Sequence, residues 1–353
     1  MGKKIALALL ILTGIVGYLN KDRILGYFKK ESRTINSSEI KLLFATQPTL
    51  SELIETLKKE GIVENGDEIR AYSVENKIDT LDFAAGKYII LSGTKISDLM
   101  NGFTKNEEGQ GKAEVKVNVV FNRCKTIEDV ASNISKCIAA DSVSIVETIQ
   151  SAEILSKYGF TVEQIPALFL PEDYQMYFDT DAKAFIAFMA ERFKEFWTAD
   201  RYARLKDVGL KSPSEAVTIA SIVYSEQSRM SEEWPIIAKL YLNRVKQGIR
   251  LQSDPTFKFC WGDKLDGVER LLNKHKNIDC PYNTYLYDGL PPGPICIPPS
   301  KVIDAVLNPS NDNYIFMCGK PGGVGHNFAV TNSQHERNVA EYRVWLKEYL
   351  KNK

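Results

Sequence analysis

The run from Ser212 to Gln227 limits what this chain can become more than any other. Ser212-Pro213-Ser214-Glu215 is a helix start: a serine to accept backbone N–H groups, a proline at the first helical position, and a glutamate three residues on that can close a capping box. The pattern predicts a helix from about Pro213 toward Arg229. On it Ala216, Ile219, Ala220 and Val223 recur at three- and four-residue steps, so they share the face that seeks a core. One further step of three reaches Glu226. A carboxyl at the end of an apolar stripe is half buried, and lost solvation disfavours its charged form and raises its pKa. Such a group can hold a proton near neutrality and act as a general acid. An ordinary solvated helical glutamate is the competing reading.

The chain of 353 residues is long enough for two or three domains with real cores. Lys+Arg and Asp+Glu are each 45, so no global basic field draws the protein to nucleic acid, and no local patch stands out. Lys3 and Lys4 precede an apolar run from Ile5 to Leu19, followed by Lys21, Asp22 and Arg23. Fifteen helical residues reach about 23 Å against a hydrocarbon core of about 30 Å, so the run is short. It has the length of a signal h-region, but Thr13 to Leu19 lacks a small-x-small cleavage site. Residues 1–20 therefore read as an uncleaved single-pass anchor in the inner (cytoplasmic) membrane, with the remainder on the extracytoplasmic side, and residues 21–38 as a polar tether. The six cysteines are an even count, which permits disulfides. If residues 127–136 form a helix of about 14 Å, Cys124 and Cys137 sit at opposite ends and cannot bridge; pairs among Cys260, Cys280, Cys296 and Cys318 stay open. No paired C-x-x-C or H-x-x-x-H spacing is present, so neither a metal site nor a cofactor is expected.

One pattern occurs twice. Glu39 to Phe44 is strand-like and leads into a helix from Thr49, and Glu114 to Val120 leads likewise into a helix from Thr126, each helix opened by Thr-apolar-x-acid-apolar. These are small β-α modules suited to placement or glycan contact, since they lack clustered titratable groups. Ser144 to Tyr158 reads as a helix, and Asp181 caps another whose stripe, Phe185, Phe188, Met189, Phe193 and Phe196, is a core wall. Ser231 opens a helix with Glu232 and Glu233 in its first turn, a stripe of Ile237, Leu240, Tyr241 and Arg244, and Gly248 as its stop. Ile249 to Phe259 reads as extended chain broken at Asp254-Pro255. Ser333 caps the last helix. The fold class is α+β.

Four ordered blocks, Ala220-Ser221-Ile222-Val223 with Glu226, Leu242 to Thr256, Tyr282 to Ile295, and His326-Asn327-Phe328, resemble the endolytic murein transglycosylase family (YceG-like, MltG type). The likeness covers most of the chain. It implies a LysM-like region over residues 39–160 and a mixed helical and β, lysozyme-like catalytic domain over residues 161–353. It also implies cleavage inside peptidoglycan glycan strands, between N-acetylmuramic acid and N-acetylglucosamine, leaving a 1,6-anhydro end without consuming water. On that mechanism Glu226 protonates the leaving oxygen, then takes the C6 hydroxyl proton, so one carboxyl suffices. Raising its pKa from about 4.3 to about 6 would cost about 2.3 kcal/mol. Many family members carry an acid where this chain has Tyr224, which argues that acid is not the indispensable one, and a threonine where it has Gln227, which leaves open how Glu226 is hydrogen-bonded.

Asp254 is the second acid, with a turn-starting role before Pro255 as its plain reading. Gln252 can bond sugar hydroxyls through both ends of its amide. Arg244 is expected to pair with Asp254. Tyr282, Asn283 and Tyr285 combine rings and an amide suited to sugar faces and edges. Gly289 to Pro294 reads as a stiff lip, which the resemblance puts beside the cleft. His326 is a candidate to contact substrate or steady a carboxyl. Two other functions remain: a hydrolytic muramidase using Glu226 with Asp254, and a non-catalytic glycan-binding scaffold. Expected partners are glycan strands, the membrane through the anchor and, from the resemblance, peptidoglycan synthases.

Overall fold

The computed structural model describes residues 32–265 and 273–351. The expected anchor over residues 1–20 and the tether up to residue 31 lie outside the described residues. Among those described, no helix is long and apolar enough to cross a membrane. The chain divides into two compact units, one reaching Lys116 and taking in Tyr177–Asp179, the other built from Val117–Met176 and Thr180 onward.

In the first unit, β1 (Ile40–Phe44) pairs antiparallel with β2 (Gly86–Ile90), from Ile40↔Ile90 to Phe44↔Gly86. Between them run α1 (Leu50–Lys59) and α2 (Asp67–Asn76), and α3 (Ile96–Phe103) follows. Thr49 and Glu52 close a full capping box at α1, as the sequence pattern requires. The core is Leu53, Ile54, Leu57, Tyr88 and Phe103, with the last two rings 4.6 Å apart edge-on. Residues 32–36 are docked and not a free tether: Thr34 and Ile35 donate their N–H groups to Thr94 and Ile62 carbonyls, and Thr34 and Asn36 are buried.

The second β-α copy belongs to the other compact unit, which begins at Val117. The reason is strand pairing: β3 (Val117–Val120) pairs antiparallel with β4 (Asp173–Met176). The intervening α4 (Ile127–Ile134) is capped by a Thr126/Asp129 box. The helix expected from Ser144 to Tyr158 is two, α5 (Ser142–Gln150) and α6 (Ala152–Tyr158), because extended Ser151 ends one and caps the next. Asp181 caps α7 (Ala182–Phe196), which buries Phe185 and Met189, and α8 (Ala199–Asp207) follows.

The helix α9 (Pro213–Glu226) runs through the middle of this unit. Its burial is not confined to one stripe: Ser214 and every residue from Ala216 to Val223 are buried, which marks a central helix. Ser212 accepts the Glu215 N–H at 3.3 Å, but the Glu215 carboxylate takes the Lys211 N–H at 2.7 Å, so the expected box closes one residue upstream. The helix stops at Glu226 because Gln227 turns extended and spends its side chain elsewhere.

Packed around α9 are α10 (Trp234–Lys246), α11 (Asp254–Trp261) and α12 (Ser300–Leu307). The segment expected to be extended up to Phe259 is thus helical from Asp254, since Pro255 falls at the start of the helix, where its missing N–H costs nothing. β5 (Phe316–Gly319) and β6 (His326–Ala329) form an antiparallel hairpin, and α13 (Asn332–Lys351) closes the chain. The cap of α13 is Thr331 with Gln334, not Ser333. The proline-rich segment is interior: Ile295 donates its N–H to Ser221 Oγ on α9 at 3.0 Å, and a Cβ on Gly293 would lie 1.8 Å from the Glu163 carbonyl oxygen. Cys260 and Cys280 form a disulfide that ties α11 to the loop entering Tyr282, while Cys124 and Cys137 stay free.

Candidate active site

Glu226 is the last residue of α9, where the helix leaves the core. Two hydroxyls reach the same carboxyl oxygen: Tyr241 on α10 donates to Oε1 at 2.8 Å and Ser253 donates to it at 2.6 Å. Ser253 occupies the N-cap of α11, a place where serine usually accepts a first-turn N–H, yet it makes no such bond. Its hydroxyl is diverted to the acid, and its own N–H is held by Thr284 Oγ1 at 3.0 Å. The preceding Gln252 sits at φ +51, a left-handed conformation costly for a non-glycine residue. Burial pushes the Glu226 carboxyl above the usual carboxylate range; the two hydroxyl bonds oppose the rise, and the charge of Asp254 adds to it. Burial likewise pushes the Tyr241 hydroxyl well up, so it stays a donor.

The acid faces a polar cavity of about 380 Å³ walled by Glu226, Tyr241, Gln252, Asp254, Tyr285 and His326, among others. Four of the residues singled out in the sequence beside Glu226 are therefore brought together. Asp254 is not paired with Arg244. It accepts from the Tyr285 hydroxyl at 2.5 Å and from Lys276 Nζ at 3.1 Å. Arg244 is a buried staple, donating to the carbonyls of Ile315, Arg250 and Leu251 at 2.6, 3.0 and 2.9 Å. It joins the start of the hairpin to the loop carrying Gln252, and those neutral carbonyls satisfy it without a counter-ion.

Two residues fall elsewhere. Asn283 is fully buried, donating to the carbonyls of Lys276 and Ile278 and accepting the Tyr285 N–H, so it shapes the loop from inside. Tyr282 packs on Phe259, ring centroids 4.7 Å apart, and does not line the cavity. Residues 289–294 do not line it either.

His326 opens β6 and is clamped from behind. Glu233 accepts its backbone N–H at 2.8 Å on Oε1 and lies 2.7 Å from its Nδ1 on Oε2. Gln227 donates to the same Oε2 at 3.1 Å. Burial works against the charge of Glu233, but the His326 and Gln227 bonds outweigh it and hold the carboxyl below its ordinary range. In the sequence Glu233 reads as a first-turn helix acid; only the hairpin, 93 residues on, gives it this partner. Ser253, Tyr241 and Lys276 were equally missed as partners of the acids, although Tyr241 lies on a stripe that marks it as buried.

Fold and cleft define the class: an α+β protein with one helix-borne, solvent-poor acid braced by two hydroxyls in a polar groove. The YceG-like family matches residues 44–341, and the chain belongs to that family. The endolytic murein transglycosylase of Streptococcus pneumoniae serotype 2 (strain D39) is 24% identical over 316 residues, covering 83% of this chain and 56% of that protein. The endolytic murein transglycosylase of Bacillus subtilis (strain 168) is 33% identical over 131 residues, 37% of this chain and 35% of that protein. The chain thus spans about half the length of the pneumococcal relative or less of the other. A crystal structure of a YceG-like protein from Listeria monocytogenes shares the fold, with TM-score 0.53 and 21% identity over 86% of this chain and 99% of that one.

Proposed function

We propose that the chain is a peptidoglycan lytic transglycosylase that cuts within glycan strands at the bond from N-acetylmuramic acid to N-acetylglucosamine. The observation that carries this reading is the state of Glu226: a carboxyl raised by burial, lining a polar groove. Because both hydroxyl donors land on Oε1, the proton belongs on Oε2. From there it passes to O4 of the leaving sugar as the C1–O4 bond breaks. The C6 oxygen then bonds C1, its proton returns to Glu226, and no water enters the balance.

A hydrolase would need a second carboxylate as nucleophile or base. Asp254 is the candidate, but Lys276 and Tyr285 occupy one of its oxygens, which weakens it for either task. Gln252, Tyr285 and His326 are the groups placed to meet the sugar. The first unit, with its β-α-α-β order, serves glycan placement in the LysM manner. Residues 1–20 anchor the chain in the inner membrane with both units outside the cytoplasm, where peptidoglycan synthases are accessible partners; cross-linked membranes that fail to co-purify them would remove that part.

The test is digestion of purified sacculi by wild type and Glu226→Gln, with mass spectrometry of the released ends. Anhydro ends from wild type and none from the variant support the reading. Reducing ends would replace it with the hydrolase, and equal activity of the variant in cells would leave a scaffold.

A further inference from the structure

The orientation of one proton in the cleft can be read from the backbone upward. Gln227 Oε1 accepts the N–H groups of Arg229 and Met230 at 3.1 and 3.2 Å, which fixes the flip of its amide and turns Nε2 toward Glu233. Glu233 Oε2 is therefore an acceptor toward Gln227, and Oε1 is an acceptor toward the His326 N–H. With both oxygens accepting, the carboxylate has no proton to offer, so His326 Nδ1 at 2.7 Å must be the donor. Gly325 makes room for the clamp: at φ +76, a Cβ there would stand 2.6 Å from Glu233 Oε1.

From this geometry we propose that Glu233 is a positioning residue that locks His326 as the Nδ1–H tautomer, so that Nε2 is a hydrogen-bond acceptor in the cleft for a sugar hydroxyl. The chain Arg229 and Met230 to Gln227 to Glu233 to His326 starts one residue after the acid. The same turn thus sets the end of the helix carrying Glu226 and the polarity that His326 presents to the cleft. A sugar hydroxyl other than the C6 hydroxyl, whose proton goes to Glu226, is held on a bare Nε2 by its hydrogen, and this orients the sugar in the cleft. A ring carrying Nε2–H would instead take that hydroxyl by its oxygen. The inference rests on the lytic reading for the substrate, but the tautomer stands apart from activity.

The test labels the full chain with ¹⁵N-histidine. With three histidines in the sequence, the His326 signals are assigned by their loss in His326→Asn. The expected result at neutral pH is a protonated Nδ1 and a bare Nε2, with Glu233→Ala releasing the ring to a mixture of tautomers. His326→Asn keeps an N–H facing Glu233 but presents nothing to the cleft. It should retain the wild-type melting temperature while kcat/KM falls roughly tenfold to a hundredfold, mostly in kcat, the range one lost hydrogen bond spans. A wild-type ring protonated at Nε2, or at both nitrogens, overturns the proposal, as does full activity of His326→Asn. A wild type that releases no anhydro ends would sink the lytic reading and leave the tautomer result intact.

Discussion

Glu226 and Glu233 stand seven residues apart in the chain, the first lining the cleft and the second bonded to the His326 that lines it, and the protein drives them in opposite directions. Both are withdrawn from water. Glu226 receives two neutral hydroxyls on a single oxygen, and burial wins, raising its pKa. Glu233 receives an imidazole N–H, a backbone N–H and an amide N–H spread over both oxygens, and the donors win, lowering it. Burial alone does not decide the charge of a carboxyl; the number and distribution of its donors do. Neighbouring acids pushed apart in this way mark a division of labour, one holding a proton and the other a charge.

The largest expected effect breaks the comparison at its acidic end. Glu226→Gln keeps the shape and the bonds from Tyr241 and Ser253 but has no proton to transfer, and should lower the rate of anhydro-end release by about 10³-fold. Next come two changes that should act with opposite sign. Activity requires protonated Glu226, so it falls as pH rises through that pKa. Ser253→Ala removes a donor that favours the charged form, so the pKa rises further and the alkaline fall moves to higher pH. Asp254→Asn removes a charge that favours the protonated form, so the fall moves down. The pH profiles of kcat/KM measure both. Asp254→Asn should also keep most of its activity, and abolition would favour the hydrolase.

The smallest effect concerns a third acid, in the first unit. Both carboxyl oxygens of Glu114 are buried, and burial with the charge of Asp179 pushes its pKa up to about 7. A raised folded-state pKa means that the folded chain binds the extra proton, so stability falls as pH rises between about 4.5 and about 7. Glu114→Gln cannot lose that proton and should be about 1–2 kcal/mol more stable than wild type above pH 7, allowing for solvent screening, with no difference near pH 4. Thermal unfolding at the two pH values checks it. A Glu114 that stabilises by ionising would give the reverse order. Unlike Glu226, it lines no described cavity, so a raised pKa by itself is not a catalytic signature.

What could be read in advance followed from local rules. The helix starts at Thr49, Thr126, Asp181 and Ser212 are written in one to four residues each, and three-residue steps along α9 lead straight to Glu226. What could not be read depended on chain separation. The Ser253 hydroxyl reads as a cap or a turn residue until α9 and α11 are placed together, 27 positions apart. Arg244 and Asp254 have opposite charges, yet carbonyls take buried Arg244 and Lys276 takes the more exposed Asp254. Asn283 has sugar-binding chemistry but spends all of it on its own loop. The proline-rich segment is stiff as its composition dictates, but stiffness does not tell a lip from a buried strut.

The most direct measurement is the titration of the Glu226 carboxyl itself, followed by ¹³C NMR as the difference between wild type and Glu226→Gln. The account predicts a carboxyl that remains protonated well past pH 4.5, its ordinary midpoint. A Glu226 that ionises at or below that value would contradict it, because no proton would be waiting for the sugar.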